Sequence, residues 1–346
     1  MKKVNVLVTA ASRRVPLVRA FRNAVERFGR GRVVTTDMNP MSPALYFGHK
    51  HYIVPLTADR NYIPIIEGIC DAEDVGLIIP TIDDELPIFG RSLAKFERAG
   101  IDVAVSSEHT SRICNDKYQT YLFCRENGIK APVTRLAADI QADIQMEGLK
   151  YPVYIKPRFG RGSVNVFVVN NELQLRMFLD YVPDAIVQDQ LPGTEFTVDV
   201  FNDFGGRTLA IVPRERLVIR AGVSDKGITR KHPEVTAFAR EVSEKLKIIG
   251  PANIQCKWDG VDVSLIEVNP RFSGGIPLTI AAGADFPAWL VQLKGGIHVP
   301  PQLGKFQDGL AMMSFEESIF ANESDLKSRP TDRPRLVART RPAYVN

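Results

Sequence analysis

The sequence predicts an α/β unit followed by an α+β unit, on three observations. Short β-branched runs alternate with helical patterns over roughly the first 112 residues, the signature of a parallel sheet wrapped by helices. Later strand runs, from about residue 191 to 321, follow one another with turns between them and read as a mostly antiparallel sheet. At 346 residues the chain also exceeds the ~250 to 300 at which one hydrophobic core stops growing.

The elements follow in order. Val4 to Thr9 is a β-branched strand, Ala10-Ala11-Ser12 a turn, and Leu17, Val18, Phe21 and Val25 mark a helix ending near Gly29. Strands recur at Arg32 to Thr36, at Gly76 to Pro80 before Thr81-Ile82-Asp83-Asp84-Glu85, and at Asp102 to Val105. The shape is Rossmann-like, yet the first turn, Thr9 to Arg14, lacks the GxGxxG glycines that let a backbone approach a pyrophosphate. Dinucleotide binding is disfavoured, and Asp37, placed where a ribose-binding acid would lie, reads as a solvated strand end. From Asp116 come a helix (Tyr118 to Asn127), a turn at Ala131-Pro132, a polar helical stretch, strands at Val153 to Lys156 and Asn165 to Val169, a helix at Glu172 to Tyr181 and a strand at Ala185 to Asp189. Strands near 195–201, 208–212, 253–258 and 263–268 complete the last unit. The expected division is 1–112, 113–190, 191–321, and an extended or disordered tail over 322–346, where six Lys/Arg stand against three Asp/Glu and three prolines.

A composition of 45% hydrophobic and 24% charged residues is that of a globular protein. The net charge of +4 suits an anionic small substrate but forms no basic block, so a nucleic-acid partner is not expected. Cys70, Cys114, Cys124 and Cys256 have no metal-ligand spacing and read as reduced thiols in the cytoplasm. The apolar run at the start is too short for a leader or a membrane span, and no membrane partner is expected. His49 and His51, two apart, would share a face only if the segment were a strand; with no third ligand they read as a surface pair, and GxSxG, HExxH and GxxxxGK[ST] do not occur.

The constellation richest in chemistry lies late. Asn253 to Trp258 and Val263 to Asn269 flank a turn on Asp259-Gly260, a hairpin pattern. Alternation puts Glu267 and Asn269 on one side, and antiparallel pairing brings Gln255 there as well. One carboxylate and two amide oxygens suit a hard cation carried by phosphates, magnesium with a nucleotide; the same spacing also describes the polar face of a half-exposed hairpin. Pro270-Arg271-Phe272-Ser273-Gly274-Gly275 follows, a guanidinium beside glycine-freed backbone NH groups. Upstream, Tyr151 to Pro157 ends a strand in Lys156, before the glycine loop Phe159-Gly160-Arg161-Gly162-Ser163. Such a loop closes over phosphates or simply turns a hairpin. Arg214, Arg216, Arg220 and Lys226 crowd one strand-turn segment, either as anion contacts or as guards of a sheet edge.

Glu267-Val268-Asn269-Pro270-Arg271 resembles the E-x-N-P-R signature of ATP-grasp ligases, and the parts of that family occur in order along about residues 1 to 300. The resemblance implies a Rossmann-like preATP-grasp domain (1–112) and a two-part ATP-grasp domain, with a small subdomain and linker helix over 113–190 and a large one over 191–321. It implies that Gln255, Glu267 and Asn269 hold two magnesium ions, with manganese as an alternative. ATP would meet Lys117, Lys156, Gly160, Gly162 and Ser163 at its phosphates and the hinge Gln188, Asp189, Gln190 and Leu191 at its adenine, with Asp189 or Glu195 at the ribose. Lys156, Lys226 and Arg271 fall in catalytic positions; Arg214, Arg216, Arg220, Ser273, Gly274 and Gly275 fall in substrate-binding ones. The implied reaction phosphorylates a small carboxylate to an acyl phosphate, which an amine captures. A homodimer is a family-level expectation. A carbamoyl phosphate synthase-like half unit and a non-catalytic ATP-binding protein are the alternatives.

Overall fold

The computed structural model describes residues 2–141, 149–220 and 223–321, together with Leu326. Part of the polar helical stretch after Pro132 and, apart from Leu326, the tail 322–346 lie outside the described residues. Among the described residues the strands form three sheets.

The first unit alternates strand and helix: β1 (Asn5–Val8), α1 (Val15–Ala24), β2 (Val33–Asp37), β3 (Lys50–Ile53), α2 (Tyr62–Glu73), β4 (Val75–Ile79), α3 (Leu86–Arg98) and β5 (Asp102–Val103). Its sheet is parallel, in the order β3-β2-β1-β4-β5. Helices cover both faces, so β1 is buried along its length, as an apolar run without alternation requires. Strand β3 was not expected, because Lys50-His51-Tyr52-Ile53 looks polar; His51 and Tyr52 are nevertheless buried. The strand order reverses between β1 and β4, so the loops leaving these two strands diverge and open a crevice at their carboxyl ends.

α4 (Glu108–Asn115) and α5 (Lys117–Glu126), capped by the side chains of Ser107 and Asp116, lead into the second unit. Its antiparallel sheet comprises β6 (Thr134–Leu136), β7 (Val153–Pro157), β8 (Phe167–Val169) and β9 (Ala185–Asp189), ordered β6-β9-β7-β8. α6 (Ala137–Gln141) and α7 (Glu172–Tyr181) supply apolar residues to the core on this sheet. The third sheet, β14-β13-β10-β11-β12-β15, is antiparallel throughout: β10 (Thr194–Asn202), β11 (Thr208–Arg220), β12 (Val223–Thr229), β13 (Gly250–Trp258), β14 (Val263–Asn269) and β15 (Ala311–Met313). α8 (Pro233–Lys245) precedes β13; α9 (Ile276–Ala281) and α10 (Phe286–Lys294) follow β14.

The first and third units share one core. Phe21 of α1 meets Phe272 edge-on at 5.7 Å, and Phe201 of β10 stacks on Phe286 of α10 at 5.1 Å. α10 returns to lie against α1, which fixes the crevice relative to the hairpin β13–β14.

The glycine-poor first turn is held by side chains. Ala10 and Ser12 take positive φ angles of 44° and 47° without glycine. The Ser12 amide donates to Asp37 Oδ2 at 2.8 Å, and the Thr81 hydroxyl faces the carbonyls of Thr9 and Ala10 at 3.0 and 2.8 Å. Asp37 also accepts from the Asn39 amide, so its carboxylate braces the turn. Beneath it Glu85 is fully buried, accepting from the Tyr62 hydroxyl and the Thr81 amide. Burial pushes its carboxyl from 4.5 up to about 7. A raised folded-state value means that the stability this group contributes is complete below the unfolded value and is lost as pH climbs through 7. Glu85→Gln is therefore expected to flatten the pH dependence of urea unfolding between pH 4.5 and 7, a change on the order of 3 kcal/mol across that window. An unchanged slope in the mutant would show that another group titrates there.

Candidate active site

A cleft of about 230 Å³ lies between the second and third sheets. Its floor comes from the hairpin β13–β14. Gln255 stands directly opposite Glu267 in the register, and Asn253 opposite Asn269, so the pairing anticipated from alternation is present. Gln255 and Glu267 line the cleft. Asn269 lies just beyond the lining: its amide NH₂ reaches Glu267 Oε1 at 3.1 Å, and its Oδ1 accepts from Arg271 at 3.0 Å. Gln255 Oε1 accepts from Arg216 Nη1 at 2.8 Å, and the same nitrogen meets Glu195 Oε1 at 2.8 Å.

The opposite wall comes from β7 and the loop after it. Lys156 is buried at the end of β7 and lines the cleft beside Tyr154. Burial pushes its ammonium down to about 8; nearby Lys117 lowers it further, while Glu267 and Glu195 counter both. Lys117, at the start of α5, reaches across to donate to the Gly160 carbonyl at 2.8 Å, and burial likewise lowers its pKa. Gly160, Gly162 and Ser163 line the cleft with positive φ angles of 111°, 72° and 57°, a backbone turned back on itself over the lysines. Arg161 of this loop pairs with Asp84 at 2.7 Å.

The hinge forms the far edge. Gln188, Asp189 and Leu191 line the cleft, whereas Gln190 is exposed outside it. Gln188 donates to the Thr134 hydroxyl at 2.8 Å, Asp189 pairs with Arg135 at 2.7 Å, and the Leu191 carbonyl accepts from Lys257 at 3.0 Å. Gly193 has φ +94°, and a Cβ there would lie 2.1 Å from the Trp258 carbonyl oxygen, so only glycine lets the hinge cross β13.

Four of the residues expected to meet substrate stand away from the lining. Arg214 is buried, its guanidinium paired with Asp199 at 2.8 and 3.1 Å and donating to the Ser273 hydroxyl at 3.0 Å. Gly275 packs against that guanidinium, and Gly274 is exposed. Lys226, expected to be catalytic, is exposed on β12 and absent from the cleft's walls. The side chain of Arg220 lies outside the described residues. A wider groove of about 540 Å³ beside α8 contains none of these groups.

Arg271 is held from the first unit. Its Nε and Nη2 meet Asp83 at 2.9 and 2.8 Å, while Arg14 donates to the carbonyls of Phe272 and Thr81 at 3.0 and 2.7 Å. Asp83, although buried, is held below its ordinary pKa because Arg271, Arg14 and Arg161 together outweigh the desolvation. Arg14, Asp83, Arg161 and Lys257 were not singled out from the sequence. The signal for Asp83 was its place just past a parallel strand on the edge of the switch point; the signal for Lys257 was its i+2 spacing from Gln255.

The class of protein follows from this fold and from two family matches. Residues 181–317 match the family described as ATP-grasp in the biosynthetic pathway with Ter operon, and residues 6–104 match the PylC-like N-terminal domain. The chain thus carries an ATP-grasp domain behind a PylC-like N-terminal domain. In sequence it is 26% identical over 242 residues to the arginine-specific carbamoyl phosphate synthase large chain of Bacillus subtilis, covering 66% of this chain and 23% of that one. It spans about a quarter of the length of the curated relatives it matches. In structure it resembles the biotin carboxylase domain of Hydrogenobacter thermophilus 2-oxoglutarate carboxylase, with TM-score 0.72, 14% identity and coverage of 90% and 74%. It also resembles an L-amino acid ligase from Bacillus licheniformis, with TM-score 0.66, 18% identity and coverage of 85% and 75%. No helix among the described residues is long and apolar enough to cross a membrane.

With Lys156 titrating near 8, an anion bound against it is expected to weaken as pH rises from 7 to 9.5. Lys156→Arg, which keeps its charge, should remove that inflection from the pH profile of nucleotide affinity. An identical profile in the mutant would place the titration elsewhere.

Proposed function

We propose that the protein is a magnesium-dependent ATP-grasp ligase that phosphorylates a small carboxylate and transfers the acyl group to an amine, releasing ADP and phosphate. The observation that carries this reading is the meeting of buried Lys156, Lys117 and the glycine loop with Glu267 across one cleft. The donor set fits its metal. Among the described residues no three His, Cys, Asp or Glu side chains gather as a protein-only metal cage. One carboxylate flanked by amide oxygens instead suits magnesium that arrives with phosphate oxygens and keeps waters. Gln255, Glu267 and Asn269 would hold it, as two ions, and manganese could substitute. Bound there, the metal would neutralise charge on the transferring phosphoryl group.

The protein groups then have separate tasks. Lys117 and Lys156 bind phosphate oxygens, and the NH groups of Gly160 to Ser163 close over them and exclude water. Leu191 and its hinge neighbours carry the adenine, and Asp189 or Glu195 the ribose. Arg271, just beyond the lining, stabilises charge on the group in transfer, and Arg216, fixed by Glu195 and Gln255, lines the cleft. Transfer of this kind rests on positioning and charge neutralisation, which explains why no nucleophile–base pair is needed. Neighbours in fold support nucleotide use: the biotin carboxylase domain was solved as a dimer with MgADP and bicarbonate. That structure also makes a homodimer the natural assembly to test.

A second reading is favoured by the sequence relatives, which are carbamoyl phosphate synthase large chains matched over a quarter of their length. The carboxylate would then be bicarbonate, and a second ligase half or an amidotransferase would copurify. One assay separates the two: ADP release from Mg-ATP over pools of amino acids, dipeptides and bicarbonate with amines, with mass spectrometry of products. Substrate-dependent ADP release with a condensed mass is expected, falling at least ~10²-fold in Glu267→Ala. Near-normal turnover by that mutant would sink the metal assignment.

A further inference from the structure

The first unit supplies the carboxylate that holds Arg271. Asp83 opens a short 3-10 turn after β4, on the edge of the crevice where the strand order reverses, and is 188 residues from its partner. It grips Arg271 in a two-pronged pair, Nε to Oδ1 at 2.9 Å and Nη2 to Oδ2 at 2.8 Å. The pair is largely buried, with 11% and 15% of the side chains exposed, so neither solvent nor salt competes strongly for it. The second Nη2 proton goes to Asn269 Oδ1 at 3.0 Å, and one Nη1 proton goes to the Phe272 carbonyl at 3.1 Å. Of the five N–H donors of Arg271, four are engaged among the described residues, which leaves one Nη1 proton and the charge. A guanidinium bonded this way has one orientation. Asp83 is fixed in turn: the Asn115 amide donates to its carbonyl at 2.7 Å, and Arg14 clamps the flanking segments by bonding Thr81 and Phe272.

We infer that Asp83 is a positioning residue for Arg271, so that the PylC-like unit completes the phosphoryl-transfer site. This deepens the ligase reading and rests on it. The pair orients Arg271 for the group in transfer and contributes nothing to holding the nucleotide itself. A carboxamide at position 83 can accept only one of the two bonds and carries no charge, which frees the guanidinium to rotate.

The test compares the affinity of the full chain for Mg-ADP alone with that for Mg-ADP plus aluminium fluoride, a mimic of the transferring phosphoryl group, by calorimetry. The variants are wild type, Asp83→Asn, Arg271→Lys and the double mutant. Asp83→Asn is expected to cut the preference for the mimic by ~10-fold or more, with Mg-ADP affinity within about twofold of wild type. In the double mutant the loss should equal that of Arg271→Lys alone, since both act through one group. Asp83→Glu, which keeps the charge at a longer reach, should fall between wild type and Asp83→Asn and serves where the asparagine variant does not fold. Losses that multiply in the double mutant, equal weakening of Mg-ADP, or a preserved preference in Asp83→Asn or Asp83→Glu would overturn the inference and leave the ligase reading standing. Failure of wild type to bind Mg-ADP, or metal-dependent binding untouched by Glu267→Ala, would overturn both.

Discussion

A site for a polyanion has to collect cations, and cations repel. Lys117 and Lys156 face the cleft together, and Arg14, Arg161 and Arg271 gather around Asp83. Arg14 shows the strain: burial, with Arg271 nearby, pushes its guanidinium down to about 9, countered by Asp83 and Glu85. The fold manages this crowding by interleaving carboxylates drawn from different units. Asp83 and Asp84 come from the loop after β4, Glu195 from β10 and Glu267 from β14. The third sheet alone would leave Arg271 without its buried counter-charge, and removing one partner of such a pair costs far more than the pair contributes. The shared aromatic core of Phe21, Phe272, Phe201 and Phe286 is what keeps the two units in register for this purpose.

The contacts on the glycine loop are of another kind. Lys117 holds the Gly160 carbonyl, and Arg161 pairs with Asp84 where both side chains are about half exposed. Exposed pairs of this sort contribute little stability. A phosphate arriving under the loop can take over the Lys117 ammonium at small cost, because a charge-assisted bond to phosphate is stronger than one to a neutral carbonyl. The loop is therefore tied weakly where the proposed reading places the nucleotide's phosphates, while Arg271, in the proposed catalytic position, is tied firmly.

The alternation of strands and helices and the late antiparallel runs were legible in the sequence because each rests on local periodicity. Opposing Gln255 to Glu267 was legible for the same reason: a hairpin of known phase dictates which residues share a side. What escaped was carried by distant pairing. Nothing local to Asp83 says that it meets Arg271, and nothing local to Arg214 says that it meets Asp199 rather than a ligand. β3 escaped because its burial depends on α2 and on the 3-10 turn at Pro43–Phe47, not on its own composition.

Arg214 illustrates why charge in a promising segment is ambiguous. It sits two residues from Arg216 on β11, on the same side of the strand, and the sequence treats the two alike. In the fold one meets the cleft and the other is 1% exposed, bidentate to Asp199, whose Oδ2 also accepts from the Thr279 hydroxyl. Among the described residues its Nη1 has no hydrogen-bond partner, and a Cβ on Gly275 would lie 2.3 Å from it. A buried charge with one donor left unmatched is poor value as stability, and apolar residues of equal volume would serve a core better. Its position gives it a different use: with Ser273, Gly275 and Thr279 around it, Arg214 pins the turn that follows Arg271 to β10 and β11. That turn must hold still at one end while Asp83 holds the other, so the arginine that looked like a substrate contact acts as the anchor of the one that is proposed to be catalytic.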